Sequence, residues 1–382
     1  MVKAVVLWLA AWLHVAAAWD KDGHEAIGMT TMSALEIASV TQVKRLMHGR
    51  DAVDVAAWAH KVNKKYPWTV ELHYQRQPAG RCGSKDEEKK PADLTSCPDN
   101  RCLVKGLKHF YGRLVGKPLV EINWPAGMKL TDADAVKFLI NLMGDLHQPL
   151  HFGRDTDNLG RNITVLFRNK KMSLYDMWDH EIAATVMKDS PGFWWGGWTH
   201  VQRTRVEYEK DGLQWKKDGV KMIETWADET SKYLCESVYR NPLTSRSILD
   251  ELEDGVFRVD ENLYEVWKRE MLIKMLVAGA RTAIVLNSIL QAREAESLQG
   301  GTSVSEIEGE DDDEKKAATS GRKADAHHSV MGARQGPIAA LMNAGIFLVV
   351  LIIFLQVMRM WLGKDAINQA QREKRSDGGK AI

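Results

Sequence analysis

The chain has 382 residues, enough for one large domain or two ordinary ones. With 45% hydrophobic and 27% charged residues, a packed core is attainable and wholesale disorder is excluded. A formal net charge of +1 excludes a global basic field, so a polyanionic ligand has to be drawn in locally, for example by metal ions.

Residues 1–18 read MVKAVVLWLAAWLHVAAA. Lys3 supplies a weakly positive start, 5–15 an apolar run, and Ala16 and Ala18 the small residues of a cleavage site. The run is too short for a stable bilayer span, which favours a removable signal peptide over an uncleaved anchor. The mature chain then opens at Trp19, and a single body extends over 19–298. Its periodicity is mainly helical, so the expected fold class is all-α with at most one short hairpin. Apolar residues recur at three- and four-residue spacing over 132–150 and 279–290, with Thr131 or Asp132 placed to cap the first run. The β-branched and aromatic run at 162–167 predicts a short strand or hairpin arm. The 14 tryptophans, Trp194, Trp195 and Trp198 among them, are expected in the core rather than as a base-stacking platform.

Four cysteines lie in this body, an even count that suggests two disulfides in an oxidising compartment. Cys97 and Cys102 bracket a turn-like Pro98-Asp99-Asn100-Arg101 and so can pair locally, leaving Cys82 with Cys235. A thiolate metal site is disfavoured, because no Cys-x-x-Cys pair is present. Asn162-Ile163-Thr164 is an N-glycosylation sequon.

Beyond the body, 299–337 carries Gly300-Gly301 and an acidic block through Glu314, the composition of a flexible stalk. The apolar stretch 338–358 is long enough to cross a bilayer. Arg359, Lys364, Arg372, Lys374 and Arg375 follow it and direct the tail, 359–382, to the cytosol. The expected product is a single-pass protein of the secretory pathway whose body is extracellular or lumenal.

The chemistry concentrates in 138–151, where Asn141, Asp145, His147, Gln148 and His151 interrupt an apolar run. Asn141 and Asp145 are four apart and share a helix face, and Pro149 redirects the chain before His151. A buried carboxylate needs a partner, and a metal ion or a satisfied helix end are equal readings of this segment alone. Further ligand-capable residues are Trp19-Asp-Lys-Asp-Gly-His24, His60, Leu72-His73-Tyr74 and Tyr175-Asp-Met-Trp-Asp179-His180.

Together, the start Trp-x-x-x-x-His, the Gly-Asp-x-His-Gln-Pro-Leu-His segment at 144–151, Gly160-Arg161-Asn162, Leu174-x-x-x-Trp178-Asp179, Trp226-Ala-Asp-Glu-Thr and Ala278-Gly-Ala-Arg281 resemble the zinc-dependent single-strand nucleases and 3′-nucleotidases of the S1/P1 nuclease family. The cysteine order is also similar. The resemblance implies up to three zinc ions in one cleft. One would be held by the freed amine and carbonyl of Trp19 with His24 and Asp145, which explains why cleavage after Ala18 matters: an α-amine ligates only when liberated. A second would fall to His60, His73, Asn141 and the shared Asp145, and a third to His151, Tyr175 and Asp179. His60, Asn141 and Tyr175 depart from the family pattern, and amide and phenol are poor zinc ligands. Asp176 or His180 would compensate only through a one-residue shift that the Trp178-Asp179 pair opposes. By the same resemblance Tyr74 stacks a base, Arg76 stands where the family has an acidic base contact, and Asn162 is a substrate contact.

The implied activity is metal-assisted cleavage of single-stranded RNA or DNA, and of 3′-nucleotides, with Asp145 as the catalytic carboxylate. The alternative is a catalytically impaired, membrane-anchored family member serving as a binding or structural protein. A phospholipase of similar trinuclear architecture is a third reading, which the Gln148-Pro149-Leu150-His151 context opposes. No protein partner is inferred.

Overall fold

The computed structural model of the chain describes residue 19 and residues 21–56, 58–124, 129–189 and 198–300. The leader 1–18, the span 338–358 and the tail lie outside the described residues, as does 301–337 of the stalk. All described residues belong to one compact unit, Met1–Ser305.

The fold is mostly helical. Its helices are α1 (Lys21–Ala34), α2 (Ile37–Leu46), α3 (Trp58–Lys65), α4 (Lys85–Lys89), α5 (Leu103–Leu114), α6 (Asp132–Asp145), α7 (Leu174–Asp176), α8 (Ile182–Asp189), α9 (Trp198–Asp218), α10 (Met222–Tyr233) and α11 (Glu261–Gly300). Helix α6 is the central one. Thr131 accepts from the Asp134 backbone N–H while Asp134 receives the Thr131 N–H, a reciprocal cap that fixes its start. Every residue of α6 except Asp132 and Asp134 is buried. The helix ends at Asp145, short of the predicted 150, because Pro149 cannot supply a helical N–H and opens a separate 3-10 turn, Pro149–Phe152. Phe138 of α6 stacks on Phe110 of α5 at 4.7 Å and meets the edge of Trp58 at 4.8 Å.

The run 279–290 is the middle of a much longer helix, α11, of 40 residues. By length and composition Glu261–Ser297 qualifies as a bilayer-crossing helix, yet 72% of its apolar window is buried within the fold, as for a core helix. It crosses α1 so closely that a Cβ on Gly279 would lie 2.4 Å from the Thr30 Cβ, so only glycine fits there.

The predicted strand is β1 (Thr164–Phe167), paired antiparallel with β2 (Lys170–Ser173) through a turn at Arg168 and Asn169, both of positive φ. A third strand, β3 (Val256–Val259), pairs parallel to β1 in the order β2-β1-β3. Nothing in four residues from a distant segment announced that pairing. The disulfides are Cys82–Cys235 and Cys97–Cys102, the latter across a short 3-10 turn at Pro98–Asn100. Trp19, Trp178, Trp226 and Trp267 are fully buried, consistent with a packing role; 194 and 195 lie outside the described residues.

Candidate active site

Asp145 is the last residue of α6 and is 0% exposed. Burial and the negative end of the helix dipole both oppose a carboxylate there, so cationic or strongly donating partners are required. Three histidines supply them from three elements. His24 of α1 places Nε2 3.3 Å from Oδ1, His73 at the end of the 3-10 turn Pro67–His73 places Nδ1 2.6 Å from Oδ2, and His151 of the 3-10 turn Pro149–Phe152 places Nδ1 3.8 Å from Oδ1. Burial pushes the Asp145 carboxyl up, but His73 and His24 more than offset it and hold it below the usual carboxylate range. Oδ1 is buried and accepts no hydrogen bond of normal geometry.

Trp19 is 0% exposed, and its indole N–H donates to the Gly144 carbonyl at 2.9 Å. The residue that cleavage would place first thus packs on the end of α6, one position before Asp145. Gly144 permits the close approach of His24, since a Cβ there would meet His24 Nδ1 at 2.9 Å.

A directed chain of hydrogen bonds orders the rest. The Thr69 hydroxyl lies 2.7 Å from both Asn63 Oδ1 and the Tyr66 carbonyl, and the Asn63 amide nitrogen lies 3.2 Å from His73 Nε2. An ionised Asp145 only accepts, so His73 donates its Nδ1–H to it and accepts at Nε2. Beyond it, Arg161 donates to the Tyr74 hydroxyl at 3.1 Å, Tyr74 lies 3.4 Å from the Tyr175 hydroxyl, and Tyr175 lies 3.1 Å from His151 Nε2. His151 Nδ1 is 2.6 Å from the His73 carbonyl. A guanidinium only donates and a carbonyl only accepts, so every proton points one way, from Arg161 toward His73. Burial drives His151 down to about 3, keeping the ring neutral, raises Tyr74 to about 12 and pushes Tyr175 well above its usual value, keeping both phenols protonated.

The remaining sequence-predicted residues divide. Asp179 is buried and accepts from the Gln148 amide at 3.3 Å, whereas Asp176 and His180 are exposed. Asn141 donates to the Val55 and Lys137 carbonyls, 3.2 and 2.9 Å, and leaves its buried Oδ1 without a hydrogen bond. His60 lies in α3, its side chain outside the described residues. Asn162 is exposed, with its main-chain N–H donating to the Asp157 carbonyl. Arg76 pairs with Asp155 at 3.1 Å and Glu71 at 3.5 Å. The expectation that Tyr74 stacks a base does not fit this arrangement: the residue is 2% exposed, with His151 against its ring at 4.9 Å and the guanidiniums of Arg161 and Arg76 at 5.5 and 5.6 Å. His147 turns away, donating to the Met143 carbonyl and accepting from Arg281.

Among the described residues, no three His, Cys, Asp or Glu side chains are arranged as a ready metal-binding set. The donor chemistry around Asp145 nonetheless suits a divalent cation: an ionised carboxylate with an uncommitted buried oxygen beside imidazoles, and one helical turn earlier Asn141 with an orphaned Oδ1. The His151–Tyr175–Asp179 group does not suit one. His151 Nε2 already accepts from a neutral phenol, and the Arg161 guanidinium lies 3.4 Å from the Tyr175 ring centre.

The S1/P1 nuclease family model matches residues 19–291. The chain belongs to the S1/P1 nuclease family. Endonuclease 2 of Arabidopsis thaliana is 25% identical over 300 residues, covering 75% of this chain and 97% of that protein. Endonuclease 4 of the same plant is 28% identical over 190 residues, 48% of this chain and 62% of that protein. Nuclease S1 of Aspergillus oryzae is 22% identical over 245 residues, 58% and 76% of the two chains. Family membership supports a nuclease function.

Sequence reasoning singled out Asp145, His24, His73 and His151, and the fold brings all four together. It missed Asn63, which contacts the far nitrogen of His73, and the placement of Arg161 over the Tyr175 ring. Asn63 gave no signal; Arg161 stood inside a quoted motif as an unexplained cation.

Proposed function

We propose that this family member is a metal-dependent phosphodiesterase that cleaves single-stranded RNA or DNA, with 3′-nucleotides as further substrates. The observation that carries the reading is the convergence of His24, His73 and His151 on one buried carboxylate, Asp145, with Trp19 bonded to the carbonyl of the preceding residue, Gly144. The Trp19 amine and carbonyl, His24 and Asp145 would hold a zinc ion, with His73, His60 and Asn141 beside them. Zinc bound there supplies Lewis-acid polarisation of the phosphoryl oxygen and a more acidic water. Asp145 holds the local negative charge, and His73 orients it through a short hydrogen bond, with Asn63 against the other ring nitrogen. Removal of residues 1–18 and anchoring through 338–358 complete the proposal, and the two disulfides accord with a route through an oxidising compartment.

The test uses the full chain, processed to a Trp19 terminus, with single-stranded oligonucleotides and added zinc or manganese. Release of 5′-phosphorylated fragments is expected, and none under any divalent ion sinks the reading. One residue added before Trp19 should lower bound zinc; unchanged content removes the amine from the ligand set. A second reading, an impaired member that binds without cleaving, is favoured by Tyr175 and Asn141, and zinc content of one ion or none with no cleavage would establish it.

A further inference from the structure

Arg161 is held against aromatic rings, with the Asp179 carboxylate near enough to favour its charged form but not paired with it. Among the described residues no carboxylate lies within ion-pair distance of its guanidinium, whereas neighbouring Arg154 pairs with Asp157 at 2.7 Å and Arg168 with Glu261 at 2.8 Å. Arg161 is instead half-buried over the face of Tyr175, with its carbon 3.4 Å from the ring centre, donating to the Tyr74 hydroxyl at 3.1 Å. Its other contact is long, 3.4 Å to the Asn158 carbonyl, and no hydrogen bond from Nε is recorded among the described residues. A guanidinium in such a place has lost part of its water, keeps free donors in a flat fork, and is pre-oriented by an aromatic face, the arrangement that suits a phosphate oxygen pair.

Its position connects it to the centre. Tyr175 joins Arg161 to His151, and His151 Nδ1 is 3.8 Å from Asp145 Oδ1, so one phenol and one imidazole separate the guanidinium from the buried carboxylate. The same donor chain closes this corner to a metal, because the His151 lone pair at Nε2 is taken by the Tyr175 hydroxyl.

We propose that Arg161 is a built-in cation standing in place of a metal ion beside His151, Tyr175 and Asp179, and that it anchors the phosphate of a phosphomonoester or phosphodiester substrate. The inference deepens the phosphodiesterase reading and rests on it for the substrate class. Its physical content is independent: a phosphate site that needs no metal of its own, and a corner that binds zinc only when both Arg161 and Tyr175 are changed.

The experiment takes the purified full chain as isolated and measures two quantities that do not need turnover. Inorganic phosphate is titrated calorimetrically into wild type, Arg161→Ala and Arg161→Lys. Loss of a charge-assisted pair predicts at least about tenfold weaker binding in Arg161→Ala, with Arg161→Lys between the two. Zinc per chain is measured by elemental analysis in wild type and in Arg161→Gly/Tyr175→His, where one additional ion is expected. If Arg161→Ala loses its native circular dichroism, Arg161→Gln, similar in length without the charge, takes its place. Phosphate binding unchanged in the neutral variant overturns the anchor, and an unchanged zinc count in the double variant overturns the exclusion. Should wild type fail to cleave oligonucleotides while phosphate binding depends on Arg161, the nuclease reading falls and the anchor stands. Should cleavage persist with an unaltered KM in Arg161→Ala, the anchor falls alone.

Discussion

Removing the two disulfides separately should produce very unequal losses of stability. Cys82 and Cys235 are 153 residues apart in sequence, Cys97 and Cys102 only 5. Cross-linking restricts the unfolded chain by an entropy that grows with the logarithm of loop length, giving about 5 kcal/mol for the long loop and about 2 kcal/mol for the short one. The first figure is a large part of an ordinary domain's net stability of about 5–15 kcal/mol. The long link also ties the segment after His73 to the end of α10: Gln75 and Gln77 donate their N–H groups to the His151 and Gly153 carbonyls on that segment's way to Cys82. Cys82→Ala/Cys235→Ala and Cys97→Ala/Cys102→Ala would be unfolded in guanidinium chloride without reductant. The first should show the larger fall in midpoint and a steeper slope, since its unfolded state is the less constrained. Equal losses, or a larger loss from the short loop, would refute the loop-closure account.

Arg281 binds Asp211 at 2.6 Å, Glu229 at 2.7 Å and His147 at 3.2 Å while lying 4.9 Å over Trp226, so Arg281→Met should cost roughly 3–5 kcal/mol by thermal unfolding, with Arg281→Met/Asp211→Leu recovering a good part. No recovery in the double variant would show that the buried Asp211 charge is not the source of the loss. Gly279→Ala should destabilise by roughly 1–3 kcal/mol through overpacking against the Thr30 Cβ, and Thr30→Gly, which removes that atom, should relieve part of it; an unshifted melting temperature would contradict the close crossing of α1 and α11. Burial lowers His109, whose Nδ1 donates to the Val120 carbonyl and whose Nε2 accepts from the Trp124 indole. The unfolded chain takes up a proton below about pH 6.5 that the native ring refuses, so stability falls as pH drops through that value. In His109→Phe the decline in melting temperature between pH 7.5 and 5.5 should be shallower, and parallel curves would rule out the contribution.

What could be read in the sequence, and what could not, follows from the range of the forces involved. The start of α6 was legible because a cap is a three-residue affair between Thr131 and Asp134. Its end was read five residues late, since the apolar period continues through Leu146 and Leu150 although Pro149 has already broken the ladder. The hairpin at 164–173 was legible in part, but its pairing with Val256–Val259 spans some ninety residues and leaves no local trace. The imidazoles around Asp145 were identifiable through their motifs, whereas the contact of Asn63 with the far nitrogen of His73 comes from an ordinary polar residue of α3.

The same asymmetry explains why the altered ligand positions mislead when taken singly. Tyr175 alone reads as a lost ligand, and Arg161 alone as a surface cation. Placed 3.4 Å apart they form one unit, in which the phenol occupies the imidazole that a metal would need and the guanidinium provides the positive charge that a metal would bring. Restoring a histidine at 175 with Arg161 retained would set an imidazole directly beneath a fixed cation, which opposes binding of a second one. Tyr175→His by itself should therefore add less zinc than the double change, and a full additional ion in the single variant would show that Arg161 moves aside and is not the resident charge of the corner.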